Sequence, residues 1–264
     1  ATTANITPKL LTATITVANK VYDGTTNAAI TGITLNGVIS GETVTPSGGT
    51  ATFANVGPGM AIAVSATGIT ITGAGISNYT YNGTATGVAD ILPIPTTVFV
   101  NGSFAEGSVD GHSFGYDAFK TIQEGINAVD VNGIVNIAVG TYDEQVVINK
   151  SLTLQGAGDT TIIKPSSADK LTQHLGILWA GGTKQITGII IANEVASVTI
   201  KNLKVDGETV TTLPTGANWV AGIFLRETGG TIDSVGATNM TVGTTGTGVR
   251  GYGLYLYAAG ASPV

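Results

Sequence analysis

The amino-acid sequence predicts an all-β protein in two parts. The first is a small β-rich, sandwich-like N-terminal module over residues 1–93, and the second is a coil of stacked parallel strands over 96–264. Three observations carry this reading. Gly supplies 38 and Thr 42 of the 264 residues, while 42% of the chain is hydrophobic and only 11% charged; Thr and Val suit a pleated surface, and Gly supplies turns. Short runs alternate apolar and polar residues at every second position, the period of a half-buried strand. Past the middle of the chain the runs recur as an imperfect internal repeat.

Charge and cysteine content narrow the function classes. The net charge is −6 and the 11 basic residues are scattered, whereas neutralising phosphates needs clustered Lys and Arg; nucleic acid is excluded as a partner. With no cysteine there is no disulfide, zinc thiolate or thiol nucleophile. Small secreted eukaryotic domains usually carry disulfides, so a prokaryotic exported or cell-surface protein fits better. The first residues, "ATTANITPKLL", contain neither a basic n-region nor an apolar h-region, and no apolar run is long enough for a transmembrane segment. The expectation is an extracellular chain whose signal peptide has been removed. Asn-X-Ser/Thr sequons at Asn5, Asn78, Asn82, Asn101, Asn149 and Asn239 arise by chance in so Thr-rich a sequence.

The domain joint falls in "ILPIPTT", where Pro93 and Pro95 stiffen the backbone and remove ladder donors. Before it, "LTATITVANK", "AAITGITLNG", "GTATFANVG", "AIAVSATGITITG" and "YTYNGTATGVADI" are separated by turn signals, the spacing of a small sandwich. In "KVYDGTT", Asp23 and Gly24 suit a tight turn and Tyr22 can pack beneath neighbouring strands; a structural role fits these residues better than a ligand contact.

Beyond the joint, Phe119, Ile122, Ile126 and Val129 recur at helical spacing, which predicts one amphipathic helix over about 117–129 with Asp117 in its first turn. Val135, Ile137 and Val139, then Leu152 and Leu154, return to strand alternation. "KSLTLQG" from Lys150, "KNLKVDG" from Lys201 and "TNMTVGT" from Thr238 form one repeat series; "GIIIAN" from Gly188, "GIFLRE" from Gly222 and "GLYLYA" from Gly253 form a second, at intervals of 34 and 31. The two interleave, as expected of stacked coils.

Two resemblances follow from these residues. "ITPKLLTATITVANKVYDGTTNAAI", with "GTATFANVG" and "ISNYTYNGTATGVADILP", resembles the YDG module of bacterial surface proteins similar to filamentous haemagglutinin, which implies a spacer or stalk. "FKTIQEGINAV" followed by "GIVNIAVGTYDEQVVINKSLTLQGAG" is similar to the start of pectin methylesterases and of surface β-helices of the pectin-lyase-like superfamily. That resemblance implies a short right-handed parallel β-helix closed at its N-terminal end by the helix. It also implies that catalysis, where present, uses facing acids with a basic residue in later coils.

Such groups are sparse. Adjacent Asp143 and Glu144 point to opposite faces of a strand and read as solvated turn residues. Later coils offer only Glu194, Asp206, Glu208, Arg226, Glu227, Asp233 and Arg250. His112 and His174 lack a second histidine at metal spacing. Asp110, His112 and Asp117 could gather a cation, though turn formation at Asp110-Gly111 explains the same residues. No catalytic, cofactor or metal site is therefore expected. In "GYGLYLY", Tyr255 and Tyr257 share one face and Leu254 and Leu256 the other. All four are assembly candidates, because a last coil leaves strand edges open. The edge is met either by another subunit, end to end, or by further coils of a longer chain. The function expected is a non-catalytic extracellular structural or adhesive protein, with a head-to-tail fibre subunit as one form. The alternative is a polysaccharide-directed enzyme or carbohydrate-binding module on the same scaffold.

Overall fold

The computed structural model describes residues 5–109, 111–179, 182–210, 212–213, 215–240 and 251–258. The chain divides into two compact units, Ala1–Ile94 and Pro95–Val264, so the division falls between Pro93 and Pro95. No helix among the described residues is long and apolar enough to cross a membrane.

The first unit contains β1 (Lys9–Leu10), β2 (Thr12–Val17), β3 (Lys20–Val21), β4 (Asn27–Ala28), β5 (Ile30–Asn36), β6 (Thr45–Phe53), β7 (Gly59–Thr72), β8 (Tyr79–Thr80) and β9 (Ala85–Leu92). The expected small sandwich or related β-rich module takes the form of one seven-stranded sheet, ordered β4-β6-β7-β9-β2-β5 with β3 on β9, plus the small β1–β8 pair. Alternation remains the cause of its core: in β2, Ala13, Ile15 and Val17 are buried while the intervening threonines are exposed. These side chains join Phe53, Val64, Ala66, Ala89 and Ile91 in one cluster. A single sheet suffices because the run from Asn27 to Asn36 pairs first with β6 and then with β2, joining opposite ends of the sheet so that its apolar face curls inward.

In the second unit, β10 (Thr97–Val100), β11 (Ser108–Val109), β12 (His112–Ser113) and β13 (Ala118–Phe119) lead into helix α1 (Ile122–Ala128). The expected helix thus starts five residues too early. Phe119 is a strand residue paired with Val100, and Asp117 caps nothing on the helix but accepts from Ser113 N–H at 2.6 Å. The N-cap is Thr121, with Glu124 completing a capping box. The predicted apolar stripe of Phe119, Ile122, Ile126 and Val129 is nonetheless wholly buried. Gly125 lets the helix lie close, since a Cβ there would stand 2.8 Å from Val100 Cγ2.

After the helix come β14 (Gly133–Ile137), β15 (Gly140–Tyr142), β16 (Val146–Ile148), β17 (Leu152–Gln155), β18 (Thr161–Ile163), β19 (His174–Trp179), β20 (Gly182–Asn193), β21 (Val198–Asp206), β22 (Trp219–Arg226), β23 (Gly230–Thr238) and β24 (Gly251–Tyr257). Successive passes of the chain stack in parallel. β14, β17, β21 and β23 pair in turn, β15 and β18 pair and β18 joins the second half of β21, and β16, β20, β22 and β24 pair in turn. Asn202 and Ser234, both at φ 54, turn the corner inside β21 and β23, a left-handed conformation that Asn tolerates better than most residues. Inward side chains form columns: Val135, Leu154, Ile200 and Ile232 are registered across four strands, and the first three are fully buried. β19 is an insertion, folded antiparallel onto β20.

The register corrects the first repeat series and part of the second, in which "GIFLRE" and "GLYLYA" do pair, Ile223 with Leu254 and Leu225 with Leu256. Leu152 and Leu154 of "KSLTLQG" pair with Val198 and Ile200 of "SVTIK", not with "KNLKVDG", whose Lys204 and Val205 pair with Ile162 and Ile163 instead. Gly188 aligns with Ala221 rather than Gly222.

Glu144 overturns its assignment as a solvated turn residue. Its carboxylate accepts from Ile122 N–H at 2.8 Å and Gln123 N–H at 2.9 Å, capping α1 from a turn distant in sequence. At the other end of the helix, Lys150 Nζ donates to the carbonyls of Val129 and Asn127. Burial, the largest influence, outweighs the two N–H bonds and holds the Glu144 carboxyl above its ordinary 4.5. A raised folded-state pKa contributes stability that is complete below the ordinary glutamate value and is lost as pH rises through the raised one. The melting temperature of wild type relative to Glu144→Gln should accordingly fall as pH is raised from acid to neutral. Glu144→Ala, which strands two N–H groups, should cost about 1–3 kcal/mol in chemical denaturation.

Candidate functional site

Among the described residues β24 is hydrogen-bonded to β22 alone and β23 to β21 alone, so each has one edge with no described partner. The side chains of β24 divide by period. Tyr252, Tyr255 and Tyr257 pack against a cluster of Ile177, Ile186, Trp219, Ala221 and Phe224, with Tyr255 edge-on to Phe224 at 5.5 Å and to Tyr252 at 5.0 Å. Tyr257 Oη accepts from Leu178 N–H at 3.2 Å. The two leucines stand on the opposite face, in register with core columns. Leu254 follows Val146, Ile190 and Ile223, and Leu256 follows Ile148, Ala192 and Leu225. Exposure along the first column runs from 0% at Ile190 to 2% at Ile223 and then 45% at Leu254; Leu256 reaches 62%. Leu254 and Leu256 thus continue the core columns with their side chains partly in solvent.

With one exception the titratable groups do not converge. Asp143 accepts from Ser166 N–H, which chiefly holds its carboxyl below the ordinary range, and pairs with Lys170 at 3.5 Å, away from Glu144. Glu194 lies 3.7 Å from Arg226, which stands in a ladder between Asn193 and Tyr257. Burial would push Asp206 up, but hydrogen bonds from Asn239 Nδ2 and Glu208 N–H, with Lys204 at 3.6 Å, bring it below the usual carboxylate range. Glu208 is bonded to Lys164. Asp233 accepts from Ser234 Oγ at 3.0 Å, and Glu227, at φ 48, occupies a turn. Arg250 lies outside the described residues. Asp206 and Glu208 share the charge of Lys164, the one place among the described residues where two of these acids gather about a basic residue. Among the described residues, no group of three His, Asp or Glu side chains could hold a metal.

The two histidines have separate surroundings. His112 stacks on Phe99 at 3.8 Å and bonds Asp117 Oδ2 through Nδ1 at 3.0 Å. His112 and Phe99, together with Asn101, Asn136 and Gln155, border a cleft of about 340 Å³. Asp110 lies outside the described residues. His174 leads into the β19 insertion, and its buried Nδ1 has no hydrogen-bond partner among the described residues.

In the first unit, "KVYDGTT" forms a latch. Asp23 Oδ1 accepts from Lys20 Nζ at 2.7 Å and from Thr25 N–H and Oγ1 at 2.9 Å each. These bonds, that from Lys20 foremost, bring the carboxyl down to about 2. Gly24, at φ 76, makes the turn, and Lys20 lies over the Phe53 ring at 5.5 Å. Oδ1 of the aspartate goes to closing its own turn, and Tyr22 is 37% exposed rather than packed beneath the sheet. Residues 7–87 match the family model of the YDG domain. No curated protein and no solved structure matches the chain.

Lys20 escaped the sequence reading of the YDG domain, although its spacing to Asp23 was a usable signal. Two other fastenings had none. Tyr79 Oη donates to Glu42 at 2.5 Å and accepts from Ile39 N–H at 2.9 Å, tying down the loop before β6. Asp90 accepts from Ala61 N–H at 2.7 Å while its own N–H donates to Asn19 Oδ1 at 2.8 Å.

Proposed function

We propose that the protein is a non-catalytic structural or adhesive component of a bacterial cell surface. In this reading the YDG domain serves as spacer, and the stacked passes from β14 to β24 are coils of a right-handed parallel β-helix whose last coil is met either by another copy, end to end, or by further coils of a longer chain. One observation supports it above the others. The two inward columns that are sealed at Ile190, Ile223 and Ala192 end on Leu254 and Leu256, whose apolar surface is open beside an unpaired strand edge. Both terms favour a further strand-bearing layer, because burying apolar area is favourable and unpaired ladder groups template another strand.

Polysaccharide chemistry on the same scaffold needs facing acids beside a base or cation, and Asp143, Glu194, Asp206 and Glu208 are each engaged by a neighbouring lysine or arginine. Incubation with pectin, polygalacturonate and related polymers, with and without calcium, is expected to release no product above a blank. Steady turnover lost on Asp206→Asn or Arg226→Ala would defeat the non-catalytic reading in favour of a polysaccharide-directed enzyme.

A further inference from the structure

The run from Asn27 to Asn36 changes partner midway, and the change leaves a gap. Asn27 and Ala28 of β4 pair antiparallel with Thr52 and Ala51 of β6, and Ile30 of β5 then pairs with Val17 of β2. Continued in the first register, Ile30 would face Gly49 and Thr31 would face Gly48. That continuation is missing: among the described residues β5 pairs with β2 alone, and β6 before Ala51 pairs with β7 alone. Gly48 and Gly49 both adopt positive φ, 75 and 93, which bends β6 aside, and Pro46 has no N–H with which to zip the strands shut.

The strands therefore part as a wedge, a cleft of about 590 Å³ walled by Ile30, Thr31 and Ile33 on one side and by Gly48, Gly49 and Thr50 on the other. Both walls are strand edges, whose alternate residues direct N–H and C=O away from the neighbour they already pair with. Thr31 also falls where the β2–β5 register shifts and has no partner in β2. No charged side chain lines the cleft.

We propose that this wedge takes up an extended strand from a second copy of the chain, namely the segment Asn5–Pro8. That segment belongs to no strand, all of it is exposed, and Ile6 is 99% exposed. Like the wedge, it carries no charge. Its four residues, at about 3.4 Å each, match the span of Ile30–Ile33. The segment leaves the sheet where Thr12 pairs with Asn36, the opposite end of β5 from the wedge. A strand from the same copy must double back along β5 to enter, whereas one from a second copy need not. Uptake by edge pairing draws affinity from backbone bonds and specificity from alternate side chains. Here Ile6 is the one large apolar side chain available for the pocket beside Ile30 and Ile33.

The absence of native cysteine permits a direct test. Ile6→Cys and Thr31→Cys variants, each shown folded by circular dichroism, are mixed and oxidised under mild conditions. Heterodimer is expected at least tenfold above either homodimer, and a synthetic peptide of residues 1–8 should suppress it where the same peptide with Ile6→Asp does not. Absence of heterodimer, or indifference to the peptide, would overturn the proposal. The contact is separate from the β24 edge, so cross-linking should persist when Leu254→Lys and Leu256→Lys are added; its loss there would contradict the assignment to the wedge. In unmodified protein, amide hydrogen exchange at Ile30–Ile33 should slow with rising concentration, and exchange independent of concentration counts equally against the wedge.

Discussion

Changing Leu254 and Leu256 together to Lys is expected to abolish the end-to-end contact at β24, leaving only association through the wedge, while the circular dichroism and melting temperature of the monomer stay close to wild type. Both effects follow from where the side chains stand. At 45% and 62% exposure they contribute little to the core of a single copy, so the substitution removes little burial there. In an end-to-end contact the same two positions are covered. The contact can cover only the fraction still exposed, so each lysine forfeits roughly 0.7–1.9 kcal/mol of apolar burial and brings a charge with no partner into the contact, a further cost. The combined loss corresponds to a weakening of at least about tenfold, readable by light scattering at matched concentration. Association undiminished while a peptide of residues 1–8 blocks the wedge would show that the contact lies elsewhere. The neighbouring tyrosines make the converse control. Tyr255→Lys disrupts the packing against Trp219 and Phe224 and should lower the melting temperature of the monomer itself.

The second large effect concerns the stacking of the passes. Gly230 begins β23 at φ 139, and a Cβ on it would lie 1.8 Å from Val198 O and 2.7 Å from Val198 N. No rotamer relieves a clash with backbone. Gly230→Ala must part β23 from β21 at its first rung, with an expected cost of roughly 3–5 kcal/mol. Gly158 is the control: its φ is 113, but nothing lies within 4 Å of the added Cβ, so Gly158→Ala should cost about 1 kcal/mol from backbone conformation alone. Chemical denaturation of the two variants separates contact between passes from local strain. Equal losses would refute the close approach of β23 to β21.

What the sequence disclosed and what it concealed divide along a physical line. Local alternation was legible, and it placed the buried side chains of β2, β14 and β17 and set Tyr255 and Tyr257 opposite Leu254 and Leu256. The helix stripe was legible too, although its start was misjudged because Phe119 satisfies helix spacing while serving a strand. Pairing was legible only in part: "GIFLRE" and "GLYLYA" do lie in register. "KNLKVDG" looks like "KSLTLQG", yet in β21 it follows a strand segment of the same pattern across the left-handed corner at Asn202, so two runs compete for one alignment. The cap supplied by Glu144 joins residues 22 apart in the chain and has no local signature. The wedge depends on paired conformations at Gly48 and Gly49 within a strand that reads as continuous.

Sedimentation velocity of the unmodified protein over a rising concentration series tests the central claim most directly. A head-to-tail contact that does not close into a ring adds copies without limit, so the account predicts a weight-average sedimentation coefficient that climbs steadily with concentration and shows no plateau at dimer. A protein that remains strictly monomeric throughout the series would contradict it.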